Sequence, residues 1–213
     1  MYREYIKRLF DIILALIGLP LFVLVLILVT PAIYFTDKGP IFYNANRIGK
    51  NGKLFKMFKF RSMTVNAPDI RLADGSTYSS GDDPRLTRVG RFLRKTSLDE
   101  VPQILNVLFG TMSIIGPRPD PPDWLEKYDE NDAKYFLSVR PGISGYNQAY
   151  FRNLSDGAQK IVNDVYYAKR ISFILDIKIF WRTVLMVLGQ KNLYKEEENA
   201  TVKIQKTGVT RNV

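Results

Sequence analysis

The chain has 213 residues, with 31 Lys and Arg against 21 Asp and Glu, a formal charge of +10. That length suits one domain with a core plus an appended segment, and that charge points to an anionic partner: phosphate, a phospholipid surface or nucleic acid. Neither cysteine nor histidine occurs, which excludes disulfides, thiolate nucleophiles, Cys-ligated zinc and histidine general bases, so any metal is a hard, oxygen-bound ion such as Mg²⁺.

Ile12 to Phe35, IILALIGLPLFVLVLILVTPAIYF, carries no charge. As a straight helix it would measure about 36 Å, enough to cross a hydrocarbon core of about 30 Å. A cleaved signal peptide fits poorly, because the apolar run is long and continues into Asp37-Lys38-Gly39-Pro40. Both flanks are basic: Arg3, Lys7 and Arg8 precede the run, and Lys38, Arg47, Lys50, Lys53, Lys56, Lys59 and Arg61 follow it. Positive-inside logic then places both ends on one face, which needs a re-entrant segment broken near Gly18 and Pro20. Charge symmetry alone leaves a spanning helix with a proline kink equally open.

Beyond the run, Gly39-Pro40 turns into a short strand at Ile41-Phe42-Tyr43, and Leu54 to Phe60 alternates enough to predict a second strand with Lys56 and Lys59 near its polar side. Residues 64–84 are rich in turn formers, Asp82 and Asp83 among them. A short basic helix is predicted at Val89 to Leu93, another helix from Ser97–Glu100 to Gly110, and a third from Trp124 to Val139. Two proline-locked loops each hold an arginine, Arg118 in Gly116-Pro117-Arg118-Pro119 and Arg140 in Arg140-Pro141-Gly142. Ile171 to Leu188 is predicted as an amphipathic core or interfacial helix, and the tail from Lys191 as polar.

The stretch Thr96-Ser97-Leu98-Asp99-Glu100-Val101-Pro102-Gln103 sets two adjacent carboxylates after a stretch whose charges are all basic, Arg85, Arg88, Arg91, Arg94 and Lys95. Ser97 with Glu100 has the spacing of a capping box, and Pro102 belongs in a first helical turn. The same carboxylates suit chemistry: a helix N-terminus keeps an acid ionised, and Mg²⁺ takes one or two carboxylates plus substrate phosphates. Cap and chemistry compete for the same atoms.

In order along the chain come Lys7-Arg8-Leu9-Phe10-Asp11, Gly39-Pro40-Ile41-Phe42, Lys59-Phe60-Arg61-Ser62-Met63, Gly90-Arg91-Phe92-Leu93-Arg94, Ser97-Leu98-Asp99-Glu100, Gly116-Pro117-Arg118-Pro119 and Arg140-Pro141-Gly142-Ile143-Ser144-Gly145. Together these motifs resemble the monotopic phosphoglycosyl transferases, bacterial sugar transferases, in their small catalytic-core form. The resemblance runs from Met1 to about Leu188. It implies an α+β fold: a mostly helical, membrane-associated core with an N-terminal re-entrant helix, short strands and an amphipathic C-terminal helix. Its parts would be residues 1–36 in the membrane, 37–190 as the catalytic domain and 191–213 as the tail. It implies transfer of a sugar 1-phosphate from a UDP-sugar to polyprenyl (undecaprenyl) phosphate with release of UMP, initiating polysaccharide or glycoconjugate synthesis. Asp99 would be the nucleophile that forms an aspartyl phosphosugar, and Glu100 would assist with Mg²⁺ and protons. Lys59, Arg61, Arg94, Arg118 and Arg140 are candidate clamps on the diphosphate. Gln148 and Arg152 are candidates for the uridine or the sugar, expected to be an N-acetylated or amino hexosamine.

The same resemblance implies the bacterial cytoplasmic membrane, with the catalytic domain on the cytoplasmic face, membrane lipid as a contact and downstream glycosyltransferases as partners. The chain departs from the family where a Ser-Pro pair usually breaks the membrane helix: here Leu19 precedes Pro20, and Pro31 follows later. Two rival readings keep the basic surface but change the chemistry: a non-catalytic protein bound to anionic lipid, and a phosphohydrolase that passes the phosphosugar to water. Nucleic-acid binding is not expected, since no recognition motif is present. A homo-oligomer is left open, with the 171–188 segment able to pair or to lie on the bilayer.

Overall fold

The computed structural model describes residues 1–71, 78, 80–151 and 156–188. It is mostly helical with short strands, an α+β arrangement. The tail expected from Lys191 lies outside the described residues.

A π-helical turn, Tyr2–Ile6, leads into α1, Lys7–Asp37. The helix passes through Pro20 and Pro31 without interruption, so the break expected at Pro20 does not appear as an end of the helix. Packing explains why. Lys7, Asp11, Ala15, Phe22, Val25, Val29 and Ile33 are buried at three-, four- and seven-residue spacings, and Gly18 faces Ile104 in the interval, so one stripe keeps its phase across the proline. Burying Phe22, Val25, Val29 and Ile33 at about 1.5–3 kcal/mol each outweighs a proline penalty of about 3 kcal/mol. The opposite side, Leu16, Ile17, Leu21, Leu24, Ile27 and Leu28, stays exposed.

Both ends of α1 are tied to the same body. Near its start Lys7 Nζ lies 2.7 Å from Asp176 Oδ2, a carboxylate that also accepts from Tyr2 and Tyr167. At its end Arg61 donates to Asp37 Oδ2 at 2.6 Å and to the Pro40 carbonyl at 2.6 Å.

Strands β1, Phe42–Ile48, and β2, Leu54–Phe60, form an antiparallel hairpin with Phe42 opposite Phe60. Phe60 stacks on Phe42 and Phe22 and joins Met57, Leu93, Val107 and Met112 in the core under α1. Lys56 is exposed while Lys59 turns inward, so the two lysines do not share the polar side expected of them. Positions three apart on a strand fall on opposite faces.

Helix α2, Arg88–Thr96, starts at Thr87, whose hydroxyl accepts from the Gly90 amide at 2.8 Å. A Cβ on Gly90 would lie 1.7 Å from the Ser62 carbonyl oxygen, so only glycine permits this crossing of α2 over the end of β2. A 3₁₀ turn, Leu98–Glu100, then leads into α3, Gln103–Leu108. Asn106 in α3 is almost fully buried: its carbonyl accepts from Phe58 N at 2.9 Å and its amide donates to Lys56 O at 2.8 Å, fastening α3 to β2.

Strands β3, Ser113–Ile115, and β4, Gly142–Ser144, pair in parallel. They bring the two proline-locked loops side by side, with Gly116 N donating to Ser144 O at 2.9 Å and Gly142 N to Pro117 O at 2.8 Å. The single helix expected from Trp124 to Val139 is divided. A 3₁₀ segment, Pro122–Lys127, ends at extended Tyr128, and Asp129 caps a new helix, α4, Glu130–Leu137, through Asp132 N at 2.8 Å. Helices α5, Tyr146–Tyr150, α6, Gly157–Arg170, and α7, Phe173–Leu188, complete the fold. On α7 Phe173, Ile174, Ile177, Trp181 and Leu185 are exposed, while Asp176 and Ile179 face inward.

Candidate functional site

The turn from α2 into α3 places the two carboxylates. Ser97 is not the N-cap of a new helix. It is the left-handed residue that closes α2, at φ 59°, its N–H donating to Arg94 O at 3.2 Å and its side chain capping nothing. The capping box therefore does not form, and Glu100 is released for other partners. A non-glycine residue in this region costs about 1–2 kcal/mol, which the crossing at Gly90 and the following turn must hold.

Glu100 is bound on both sides. Lys59 Nζ reaches Oε1 at 2.5 Å, and Arg118 donates from Nη2 to Oε1 at 2.6 Å and from Nη1 to Oε2 at 3.4 Å. Burial pushes the Glu100 carboxyl up, but the Arg118 and Lys59 charges outweigh it and hold it well below the usual carboxylate range. A carboxylate held between these two cations fixes where both of them point.

Asp99 differs from the other buried aspartates among the described residues. Asp11, Asp83, Asp120, Asp164 and Asp176 all accept hydrogen bonds from side chains or backbone. Asp99, 7 % exposed, is shifted by burial and by charges alone, with no hydrogen bond. Burial pushes its carboxyl up, Lys59 offsets part of this, Glu100 adds to it, and Arg94 and Arg118 oppose it. A capped helix terminus does not keep Asp99 ionised, contrary to expectation; the surrounding cations do that work in part. For Mg²⁺, the hard oxygen donors at this point of the fold are the Asp99 and Glu100 carboxylates, to which substrate phosphates and water would add. No cluster of three acidic ligands occurs among the described residues.

Lys59, Arg94 and Arg118 gather around this pair. Arg94 Nε donates to Ser62 Oγ at 3.0 Å, which joins two of the motifs in the sequence, and its charge reaches Asp99. Arg61 is not brought there as a clamp: its guanidinium is consumed by Asp37, Pro40 O and Ile33 O at the end of α1. Arg140 is directed to Gly110 O at 2.9 Å and lines a basic cleft with Arg3, Arg8 and Lys50 under the start of α1. Gln148 sits on α5 with both amide atoms buried and unpartnered, its Oε1 beside Gly145. Arg152 lies outside the described residues.

Sequence reasoning passed over the support behind Arg118. Asp120, two residues on, accepts from Tyr128 at 2.9 Å and from Lys160 at 2.8 Å, and Lys160 also binds Asp164 at 2.7 Å. The Asp120 carbonyl accepts from Ile48 N at 2.9 Å, bringing the end of β1 and Arg47 to the loop. Lys160 and Asp164, four apart on α6, were the one visible signal.

A buried carboxylate without a hydrogen bond, next to Glu100 and among ordered cations, on an α+β body that carries a long apolar N-terminal helix, has the make-up of a phosphate-directed site. The chain belongs to the bacterial sugar transferase family, whose sequence profile matches residues 2–190. It is 37 % identical over 208 residues to the undecaprenyl-phosphate galactose phosphotransferase of Salmonella typhimurium, covering 90 % of this chain and 42 % of that protein. It is 40 % identical over 195 residues to the UDP-glucose:undecaprenyl-phosphate glucose-1-phosphate transferase of Klebsiella pneumoniae, covering 88 % and 41 % respectively. With the exopolysaccharide production protein ExoY of Sinorhizobium fredii the identity is 40 % over 203 residues, and 88 % of each chain is covered. The chain thus spans less than half the length of the Salmonella and Klebsiella relatives.

Proposed function

We propose that the protein transfers a sugar 1-phosphate from a UDP-sugar to undecaprenyl phosphate through a covalent intermediate on Asp99. The carrying observation is the Asp99 carboxylate, buried and without a hydrogen bond beside a glutamate that holds two cations. An Asp99 oxygen attacks the phosphorus that bears the sugar, the bond from that phosphorus to the bridging oxygen breaks, and UMP leaves with the electron pair. An oxygen of undecaprenyl phosphate then attacks the same phosphorus, restoring the Asp99 carboxylate and giving undecaprenyl diphosphate sugar. Lys59, Arg94 and Arg118 neutralise phosphate charge, and Glu100 fixes two of them in place. Mg²⁺, held by the Asp99 and Glu100 carboxylates and the substrate phosphates, would supply further charge neutralisation. The names of the relatives support the class of donor and acceptor; an N-acetylated or amino hexosamine remains our expectation for the sugar.

The site serves the cytoplasmic face of the bacterial inner membrane in this reading, initiating a polysaccharide or glycoconjugate for later glycosyltransferases. Support comes from α1, whose two ends and middle touch one body while the exposed apolar side faces away. A helix held so along one side, with its other side apolar and exposed, suits a monotopic seat in lipid.

The test measures UMP release from a panel of UDP-sugars by protein in detergent or nanodiscs, with and without undecaprenyl phosphate and Mg²⁺, beside Asp99→Asn. Acceptor-dependent release abolished by the substitution supports the transferase. Release without acceptor would favour a phosphohydrolase, and silence with intact anionic-lipid binding a non-catalytic protein.

A further inference from the structure

Arginines in this chain that are drawn into the fold find acceptors there. Arg8 donates to Val107 O and Leu108 O, Arg61 to Asp37 and Pro40 O, Arg85 to Asp83, Pro68 O and Tyr78 O, and Arg182 to Ala149 O. Arg47 is the exception. It is half-buried, its Nε is shut off from solvent with no partner, and no carboxylate lies within salt-bridge distance among the described residues. Its nearest acid, Asp120, is already taken by Lys160 and Tyr128. Burial and the neighbouring Arg118 charge both lower the Arg47 guanidinium from its usual value. Two like charges are therefore held together, Arg118 bonded to Glu100 and Arg47 with its buried Nε unbonded.

A guanidinium offers five donors in a planar fork matched to phosphate, and leaving such a group buried and unpaired costs more than leaving a neutral one. Its position is set by backbone rather than chance: Ile48 N bonds to Asp120 O at 2.9 Å, which pins the last residues of β1 against the Arg118-Pro119-Asp120 loop. An anion between Arg47 and Arg118 would meet the cation that Glu100, next in sequence to Asp99, holds in place.

We propose that Arg47 binds the phosphate of the nucleotide that departs as UMP, sharing it with Arg118; this rests on the UDP-sugar reading above. When the bond to the bridging oxygen breaks, that oxygen stays with UMP and gains a negative charge. Arg118 divides its charge between Glu100 and the substrate. Arg47, with no carboxylate in bonding distance among the described residues, turns its donors to the leaving phosphate.

The experiment uses the full chain in detergent, with Arg47→Gln, Arg47→Lys and, as a control, the exposed Arg91→Gln. Inorganic pyrophosphate and UMP are titrated while melting temperature is followed, and KM values are measured for UDP-sugar and undecaprenyl phosphate. Both anions should raise the melting temperature of the parent and of Arg91→Gln. In Arg47→Gln the anion concentration that gives the same shift should rise at least about tenfold, and the KM for UDP-sugar by a similar factor, as loss of a charged hydrogen bond predicts, with the KM for undecaprenyl phosphate unchanged. Folded Arg47 variants that bind both anions as the parent does would overturn the proposal. Should the variants not fold, phenylglyoxal modification of the parent decides, read by peptide mass spectrometry: pyrophosphate must protect Arg47, and unchanged modification at saturating anion overturns the assignment. Absence of UMP release from every UDP-sugar would defeat the substrate reading, whereas protection by pyrophosphate would still stand for the anion site.

Discussion

Replacing Lys7 with methionine tests how α1 is fastened to the catalytic body. Lys7 Nζ lies 2.7 Å from Asp176 Oδ2, and both side chains are 9 % exposed. The buried Asp11 also feels the Lys7 charge, so one lysine serves two acids. Removing one partner of a buried pair costs about 3–5 kcal/mol, because the other charge is stranded. Here the hydroxyls of Tyr2 and Tyr167, each 2.6 Å from Asp176, remain as donors, which places the cost at the lower end, about 3 kcal/mol. The assay is denaturant unfolding in mild detergent, followed by the fluorescence of Trp124 and Trp181. Lys7→Met, Asp176→Asn and the double variant close a cycle whose coupling should reach about 2 kcal/mol. A single-variant loss under about 1 kcal/mol, with coupling indistinguishable from zero, would refute the claim that this pair anchors the helix.

Three further outcomes follow from the site and its support. Asp99→Asn should abolish transfer yet unfold at higher denaturant than the parent at pH 7.5, by about 0.5–2 kcal/mol, because a buried unbonded charge is removed. Lys59→Met removes a charge that lowers the Asp99 carboxyl, so the acid limb of single-turnover UMP release should move to higher pH; no movement would show that Asp99 ionisation does not set that limb. Asp164 is pushed up to about 6, chiefly by burial. Because its folded value is raised, its contribution to stability is present below the unfolded value and lost as pH rises through about 6. Relative to Asp164→Asn, the parent should therefore lose about 2 kcal/mol between pH 4 and pH 7, measured as parallel unfolding curves.

Local pattern carried well where the neighbours along the chain decide the structure. Leu54 to Phe60 alternates and is a strand over those residues, and the run to Leu188 is a helix that begins at Phe173. The gathering of Asp99, Glu100, Lys59, Arg94 and Arg118 was also legible, through ordered motifs. What failed were assignments that depend on partners far away in sequence. Ser97 and Glu100 have the spacing of a cap whether a helix starts there or the preceding one ends there; Lys59 and Arg118, from β2 and a distant loop, draw Glu100 away. Arg61 and Arg140 stand in the sequence as candidate clamps on the diphosphate, and the fold turns them to Asp37 and to the Gly110 carbonyl. The division after Lys127 had a signal that went unused, Asp129 three residues before Asp132. Arg47 was read only as a flanking charge, since nothing local marks an arginine that will lack a partner.

Asn106 gives the hairpin a fixed address. By accepting from Phe58 N and donating to Lys56 O, its side chain meets β2 as the backbone of another strand would. Sliding β2 by one residue against α3 would bring Phe58 or Phe60 to the place of Lys59, and Glu100 would face an aromatic ring instead of an ammonium. The amide therefore acts as an index mark: it counts residues along the strand, so that the cation meeting Glu100 is chosen by position and not by affinity for the acid.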